Sequence, residues 1–200
     1  MGRDVSLFSS LEEKKRRICE AAINIFAKKS FTKTTVSEIA ARAGVGKGTF
    51  YLYFKSKKEL LNFLLEHGID SLISEVRTKI KQKKYTKEKL RIAIDIQLEF
   101  FARHHQYFTF FVRELWSYRE GLKKQINHLK KNYIVIFERL INNGVEEGIF
   151  KNVNVETIAS GLFGFLSISS SHWILFSQEF PAQDINNSIN KVFFRGLLAE

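Results

Sequence analysis

"GVGKGTFYLYFKSKKEL", residues 44–60, sets three glycines, four aromatic rings and four lysines within seventeen positions. A buried helix would not carry the lysines, and a solvated loop would have no use for the rings. The flanks resolve the contradiction. Upstream, Thr35-Val36-Ser37-Glu38 has the pattern of a capping box, in which a threonine oxygen and a glutamate carboxylate each satisfy an otherwise orphan amide. Val36, Ile39, Ala40 and Ala43 then form one apolar stripe, and Gly44 stands where a left-handed stop is needed. Downstream, Ser56-Lys57-Lys58-Glu59 repeats the box and opens a longer helix. The quoted stretch therefore holds a tight turn, Gly44-Val45-Gly46, and a short helix over about 47–53. That is a helix-turn-helix, whose second helix lies in the DNA major groove with its N-terminal residues against base edges.

On this reading the mixture of residues makes sense. Lys47 and Thr49 occupy the groove-facing start, while Gly46 and Gly48 remove side chains where backbone must approach a duplex closely. Tyr51 and Tyr53 can each offer a hydroxyl to phosphate. Lys55 and Lys57 sit beside the amino end of the next helix, where free amides and the macrodipole favour an anion. Phe50 and Phe54 are spaced to enter a core, and Val45 tucks back with Phe50 to lock the pair. Plainer roles coexist: Tyr51 as a half-buried packing residue, Lys58 as a solvated charge.

Charge agrees with an anionic partner. The chain of 200 residues carries a formal +11, and residues 1–60 hold 13 Lys or Arg against 6 Asp or Glu. It is 44% hydrophobic with 19 Phe and one Pro, and its long 3.6-period stretches predict an all-α protein. The single cysteine, Cys19, lies on an apolar face with Ile18, Ala22 and Ile25; it reads as a small buried hydrophobe in a reducing, cytoplasmic setting. Residues 158–176, "IASGLFGFLSISSSHWILF", carry no charge, yet their serines, glycines and histidine predict a buried helix rather than a membrane span.

Helix signals recur along the chain. Ser10-Leu11-Glu12-Glu13 predicts a capping box for a first helix over about 11–29, the second ends at Gly44, and a long fourth begins at Ser56. A charged run, "KIKQKKYTKEK" (79–89), is expected to join two domains. Beyond it the pattern predicts helices near 87–104, 106–116, 119–147, 155–178 (capped by Asn154) and 183–197, the last read from Ile185, Ile189, Val192, Phe193, Gly196 and Leu197.

Residues 17–61, "RICEAAINIFAKKSFTKTTVSEIAARAGVGKGTFYLYFKSKKELL", resemble the DNA-binding domain of the TetR family of bacterial transcriptional repressors. The resemblance implies a three-helix helix-turn-helix domain (1–56) joined to a larger helical bundle (57–200) that binds a ligand and forms a homodimer. It implies phosphate contacts from Thr35, Tyr51 and Lys57, base contacts from Ser37, Lys47 and Thr49, and either from Tyr53. Two positions depart from the pattern. Ser30 replaces the usual glycine after helix one, so that turn is expected to be strained. Gly46 replaces the common Ser or Thr cap, which is expected to loosen the reading helix.

The aromatic density of 99–116 predicts an apolar cavity lined by Phe101, Phe108, Phe111, Trp116, Phe137, Phe163 and Trp173, although a dry core would use the same residues. The resemblance allows a hydrophobic small molecule, a long-chain acyl compound or a flat aromatic drug, with Arg103 or Arg113 holding an anionic head. Pairing of those arginines with Glu99 or Glu114 is the simpler account. Ser160, Gly164, Ser167 and Ser171 form a small-residue stripe where another helix can approach. The resemblance implies that the last two long helices form the dimer interface, so these residues, with Ile189 and Phe193, are its expected members, an intramolecular packing role being the alternative. Neither catalytic nor metal-ligating residues nor a cofactor are expected; His104 and His105 are adjacent and diverge on a helix. The expected function is a ligand-responsive DNA-binding regulator, a repressor released from a pseudo-palindromic operator. A small-molecule or interaction protein whose helix-turn-helix does not read DNA is the alternative.

Overall fold

A computed structural model of the chain describes residues 7–116, 123–176 and 181–199. Helices dominate, and among the described residues the only β pairing is an isolated bridge between Phe150 and Leu198. The chain divides into two compact units, Met1–Gly68 with His104–Gln125 and Ile69–Arg103 with Ile126–Glu200. The expected division at 56/57 follows where a DNA-reading head would end. Compactness instead cuts the fourth helix near Gly68 and assigns the sixth to the first unit.

In the first unit α1 (Glu13–Lys28) is followed by a 3-10 turn (Phe31–Lys33), α2 (Val36–Ala43), α3 (Lys47–Tyr53) and the first half of α4 (Lys57–Ile80). Ile18, Ala22, Phe26, Ile39, Phe50, Leu60 and Leu64 are buried to within 1% and form its core. Cys19 is fully buried there, which pushes its thiol pKa up to about 12 and removes it from redox chemistry. The expected box at Ser10 does not form: α1 begins after Glu12 with no side-chain cap. Phe8 is buried and stacks on His67 at 5.2 Å, so a turn over 7–10 sets the helix entry and leaves Ser10 exposed. The turn after α1 is unstrained, since Ser30 sits at φ −62°.

α6 (His105–Trp116) packs against α1. The Phe26 and Phe110 rings stack at 5.5 Å, and the Arg113 guanidinium donates to the Ala27 carbonyl at 2.6 Å, capping the end of α1. The Tyr107 hydroxyl donates to the Leu65 carbonyl of α4 at 3.1 Å. Gly68 makes room for that ring, because a Cβ there would collide with it.

The second unit holds the rest of α4, α5 (Thr86–Arg103), the end of α7 (Lys123–Leu129), α8 (Val135–Glu146), α9 (Val155–Phe176), α10 (Ala182–Ile189) and α11 (Arg195–Leu197). Asn154 caps α9 as expected, its Oδ1 accepting from the Thr157 amide at 2.8 Å. Two helices expected to be continuous are interrupted by π turns, Lys130–Ile134 and Asn190–Phe194. The second corrects the apolar pattern: Ile189 and Phe194 are buried while Val192 is 71% exposed. Residues five apart share a face only if the turn widens, and a π turn supplies that.

The stacked pair joining α1 to α6 gives a direct test. Phe110→Ala should destabilise the protein by about 3–5 kcal/mol. A urea midpoint unchanged from that of the parent would show that the ring does not hold the two helices together.

Candidate nucleic-acid interface

The reading unit is built from local hydrogen bonds outward. The Thr35 hydroxyl oxygen accepts the Glu38 amide at 3.2 Å, and Glu38 Oε2 accepts the Thr35 amide at 2.8 Å, so the predicted box is present. Lys29 Nζ lies 2.6 Å from Glu38 Oε1. That hydrogen bond, followed by the Thr35 amide, holds the Glu38 carboxyl down at about 2. α2 stops at Gly44, whose φ of +63° is the left-handed conformation the turn requires. α3 starts at Gly46 with no side-chain cap and spans the predicted residues.

Phe50 is fully buried and fixes the rotation of α3. At 100° per residue the opposite meridian carries Gly48 and Leu52, flanked by Lys47 and Tyr51 on one side and Thr49 and Tyr53 on the other. Exposure follows: Leu52 is 83% and Tyr51 48% exposed, Lys47 and Gly48 are exposed, and Thr49 and Tyr53 are half-buried. Thr35 and Ser37 are exposed at the start of α2, which packs on α3, and Lys55 is exposed just beyond α3.

Two expected contacts are already engaged. The Tyr53 hydroxyl donates to Glu12 Oε2 at 2.5 Å, tying the end of α3 to the entry of α1, and this bond raises the phenol pKa. The Lys57 ammonium points back into the 31–34 turn, donating to the Phe31 carbonyl at 2.7 Å and to the Thr34 carbonyl, and sits 4.3 Å from the Phe31 ring centroid. At the start of α4 the Glu59 amide donates to Ser56 Oγ at 3.0 Å. The Glu59 carboxylate reaches back to the Lys55 amide at 2.8 Å, one residue earlier than a standard box. Leu52, to which the sequence alone assigned no role, is exposed on the outward side of α3. Its place one turn after Gly48, opposite Phe50, is the signal that identifies it.

The expected pocket residues divide between the units. Phe108 and Phe111 are buried in the first, and the side chain of Trp116 lies outside the described residues. Phe101 and Phe137 are buried in the second, where Tyr133 meets Phe137 and Phe163 edge-on at 5.4 and 5.9 Å. Trp173 is partly exposed. The two arginines have partners other than those expected: Arg103 pairs with Glu75 at 2.8 Å, and Arg113 caps α1. In the second unit Arg77, Lys81, Lys89 and Arg139 rim a half-open groove of about 340 Å³ floored by Ile80, Ile136 and Leu140. Of the expected interface residues, Ser160 is exposed and Gly164, Ser167 and Phe193 are half-buried, whereas Ser171 and Ile189 are buried inside the unit. The exposed line of α9 is instead apolar, with Phe165, Ile168 and Phe176, and Val192 is exposed on the last helical segment.

The sequence profile described as "Bacterial regulatory proteins, tetR family" matches residues 18–64, and that described as "YsiA-like protein, C-terminal region" matches 65–196. The chain belongs to the TetR family. It is a DNA-binding transcriptional regulator. A "Fatty acid metabolism regulator protein" of Bacillus subtilis is 28% identical over 182 residues, 90% of this chain and 94% of that one. The crystal structure of FadR from Bacillus subtilis in complex with stearoyl-CoA superposes with a TM-score of 0.81 at 28% identity, covering 90% of this chain and 97% of the other. The "HTH-type transcriptional repressor KstR2" of Mycobacterium tuberculosis is 27% identical over 149 residues, 70% of this chain and 71% of its own. Among the described residues, no helix of this TetR-family regulator is long and apolar enough to cross a membrane.

The capping network makes a pH prediction. Glu38 has a folded pKa depressed from 4.5 to about 2, so its contribution is complete above about 4.5 and is lost as pH falls through about 2. Carboxyl NMR titration should find Glu38 near 2, and Lys29→Ala should move it upward. A normal value in the parent protein would remove the Lys29 contact.

Proposed function

We propose that this protein is a repressor that leaves a pseudo-palindromic operator when a long-chain acyl compound, in the form of an acyl thioester, binds its second unit. The observation that carries the DNA half is α3 itself: one buried ring holds it, and its opposite side faces solvent within a TetR-family reading unit. In functional terms residues 1–56 read DNA and 57–200 bind ligand and partner. Ser37, Lys47, Gly48 and Thr49 face base edges; Thr35, Tyr51, Lys55 and Lys57 meet phosphate, and Tyr53 meets either. For Tyr53 and Lys57 this requires exchanging Glu12 and the 31–34 carbonyls for phosphate oxygens.

The effector class is supported by the Bacillus subtilis relatives, one a fatty acid metabolism regulator and one solved with stearoyl-CoA. The aromatic cluster around Tyr133, Phe137 and Phe163, together with Phe101, suits an apolar chain, and the cationic groove suits an anionic end. Trp173 of the same unit belongs to the proposed lining, whereas Phe108 and Phe111 serve the core of the first unit. The response reaches α3 through the chain: α5 of the second unit continues after a single residue into α6, which is clamped to α1. A homodimer sets two reading helices about 34 Å apart on successive major grooves. The exposed apolar line of α9 is the partner surface, with Ser160, Gly164, Ser167, Phe193 and Val192 beside it. A Cβ at Gly164 would meet nothing within 4 Å, so its own protomer does not require glycine there. The protein works in the cytoplasm and catalyses no reaction.

Selection from random duplexes, followed by fluorescence anisotropy with and without stearoyl-CoA, tests the proposal. Salt-dependent binding released by the thioester is expected; absence of salt-sensitive binding, or indifference to every acyl-CoA, would overturn the respective half. Separately, Phe165→Lys should shift sedimentation towards monomer and lower operator affinity at least tenfold. An intact dimer would place the interface elsewhere.

A further inference from the structure

Leu52 and Gly48 lie one turn apart on the outward meridian of α3, and neither is explained by its own protomer. Leu52 is 83% exposed, so it fills no part of the core. Gly48 has no need of positive φ, and a Cβ built on it would meet nothing within 4 Å. Glycine inside a helix weakens it, so a position that tolerates any side chain gains nothing internal from glycine. The surface that requires a bare backbone at Gly48, and a branched apolar side chain four residues on, must therefore lie outside the protomer.

The chemistry of the major groove says what that surface is. Thymine alone among the four bases presents a methyl group there; the others show only donors and acceptors. Leucine can neither donate nor accept a hydrogen bond, so it discriminates only by apolar contact and by leaving a polar edge unpaired. We propose that Leu52 reads a thymine C5-methyl in each half-site, with Gly48 allowing the α3 backbone to settle close enough to the groove floor for that contact. Lys47 and Tyr51 flank the strip on one side and Thr49 and Tyr53 on the other, so polar readout surrounds an apolar centre. This rests on the proposal that α3 enters the major groove.

The test removes the methyl and nothing else. In an operator obtained by selection, each thymine is replaced in turn by deoxyuridine and affinity is measured by anisotropy. The protein should lose about fourfold at one position per half-site, the value of burying one methyl-sized group. Leu52→Ala loses the contact in both half-sites. It should bind the unmodified operator about as weakly as the parent binds an operator with deoxyuridine at both positions, and should be indifferent to that replacement. Its salt dependence should be unchanged, because no charge is altered. Gly48→Ala should be at least as stable to urea as the parent yet weaker on every duplex. If the parent tolerates every thymine replacement, or Leu52→Ala responds to it as the parent does, the methyl reading is overturned. Full affinity of Gly48→Ala would overturn the close approach. Failure of the parent to bind any selected duplex in a salt-dependent way would instead sink the DNA reading on which the inference rests.

Discussion

Phe50 packs at zero exposure in the first unit, its ring 5.9 Å from that of Phe54 and 5.4 Å from that of Tyr51. A seven-residue helix has too few turns to hold itself in water, so tertiary burial decides whether α3 exists and which way it faces. Once that ring is seated, helical geometry leaves no freedom for the rest. Gly48 and Leu52 must face outward, Lys47 and Tyr51 must lie to one side, and Thr49 and Tyr53 to the other. Which residues α3 turns away from the core depends on that single packing event.

The reading helix is backed by a second layer of constraint. α6 stacks Phe110 on Phe26 and donates from Arg113 to the last turn of α1, while Tyr107 reaches the α4 backbone. A helix that follows α5 with one residue between them is thus structurally part of the reading unit. The chain connection from α5 ends at α6, and from there to α1 the link is the Phe110–Phe26 stack and the Arg113 hydrogen bond.

Tyr53 and Lys57, both proposed to meet DNA, are engaged within the free protein. Both lie in a strongly basic third of the chain, and both have intramolecular acceptors: a carboxylate for the phenol, two carbonyls for the ammonium. These bonds keep α3 and the 31–34 turn in place without a duplex. They also mean that a phosphate contact at either group is an exchange rather than a gain, which lowers its net worth.

What the sequence settled by itself is local. The Thr35 box, the Gly44 stop and the Asn154 cap all rest on hydrogen bonds within about four residues. Those interactions do not wait for distant partners. What the tertiary structure decided is everything that does. Phe8 moved the start of α1, five-residue spacing between Ile189 and Phe194 forced a π turn, and α6 joined the first unit. Ser171 and Ile189, read from sequence as partner-facing, are buried, and Leu52, to which the sequence assigned no role, is 83% exposed. Periodicity shows that a helix has a buried face; only long-range packing says which element covers it.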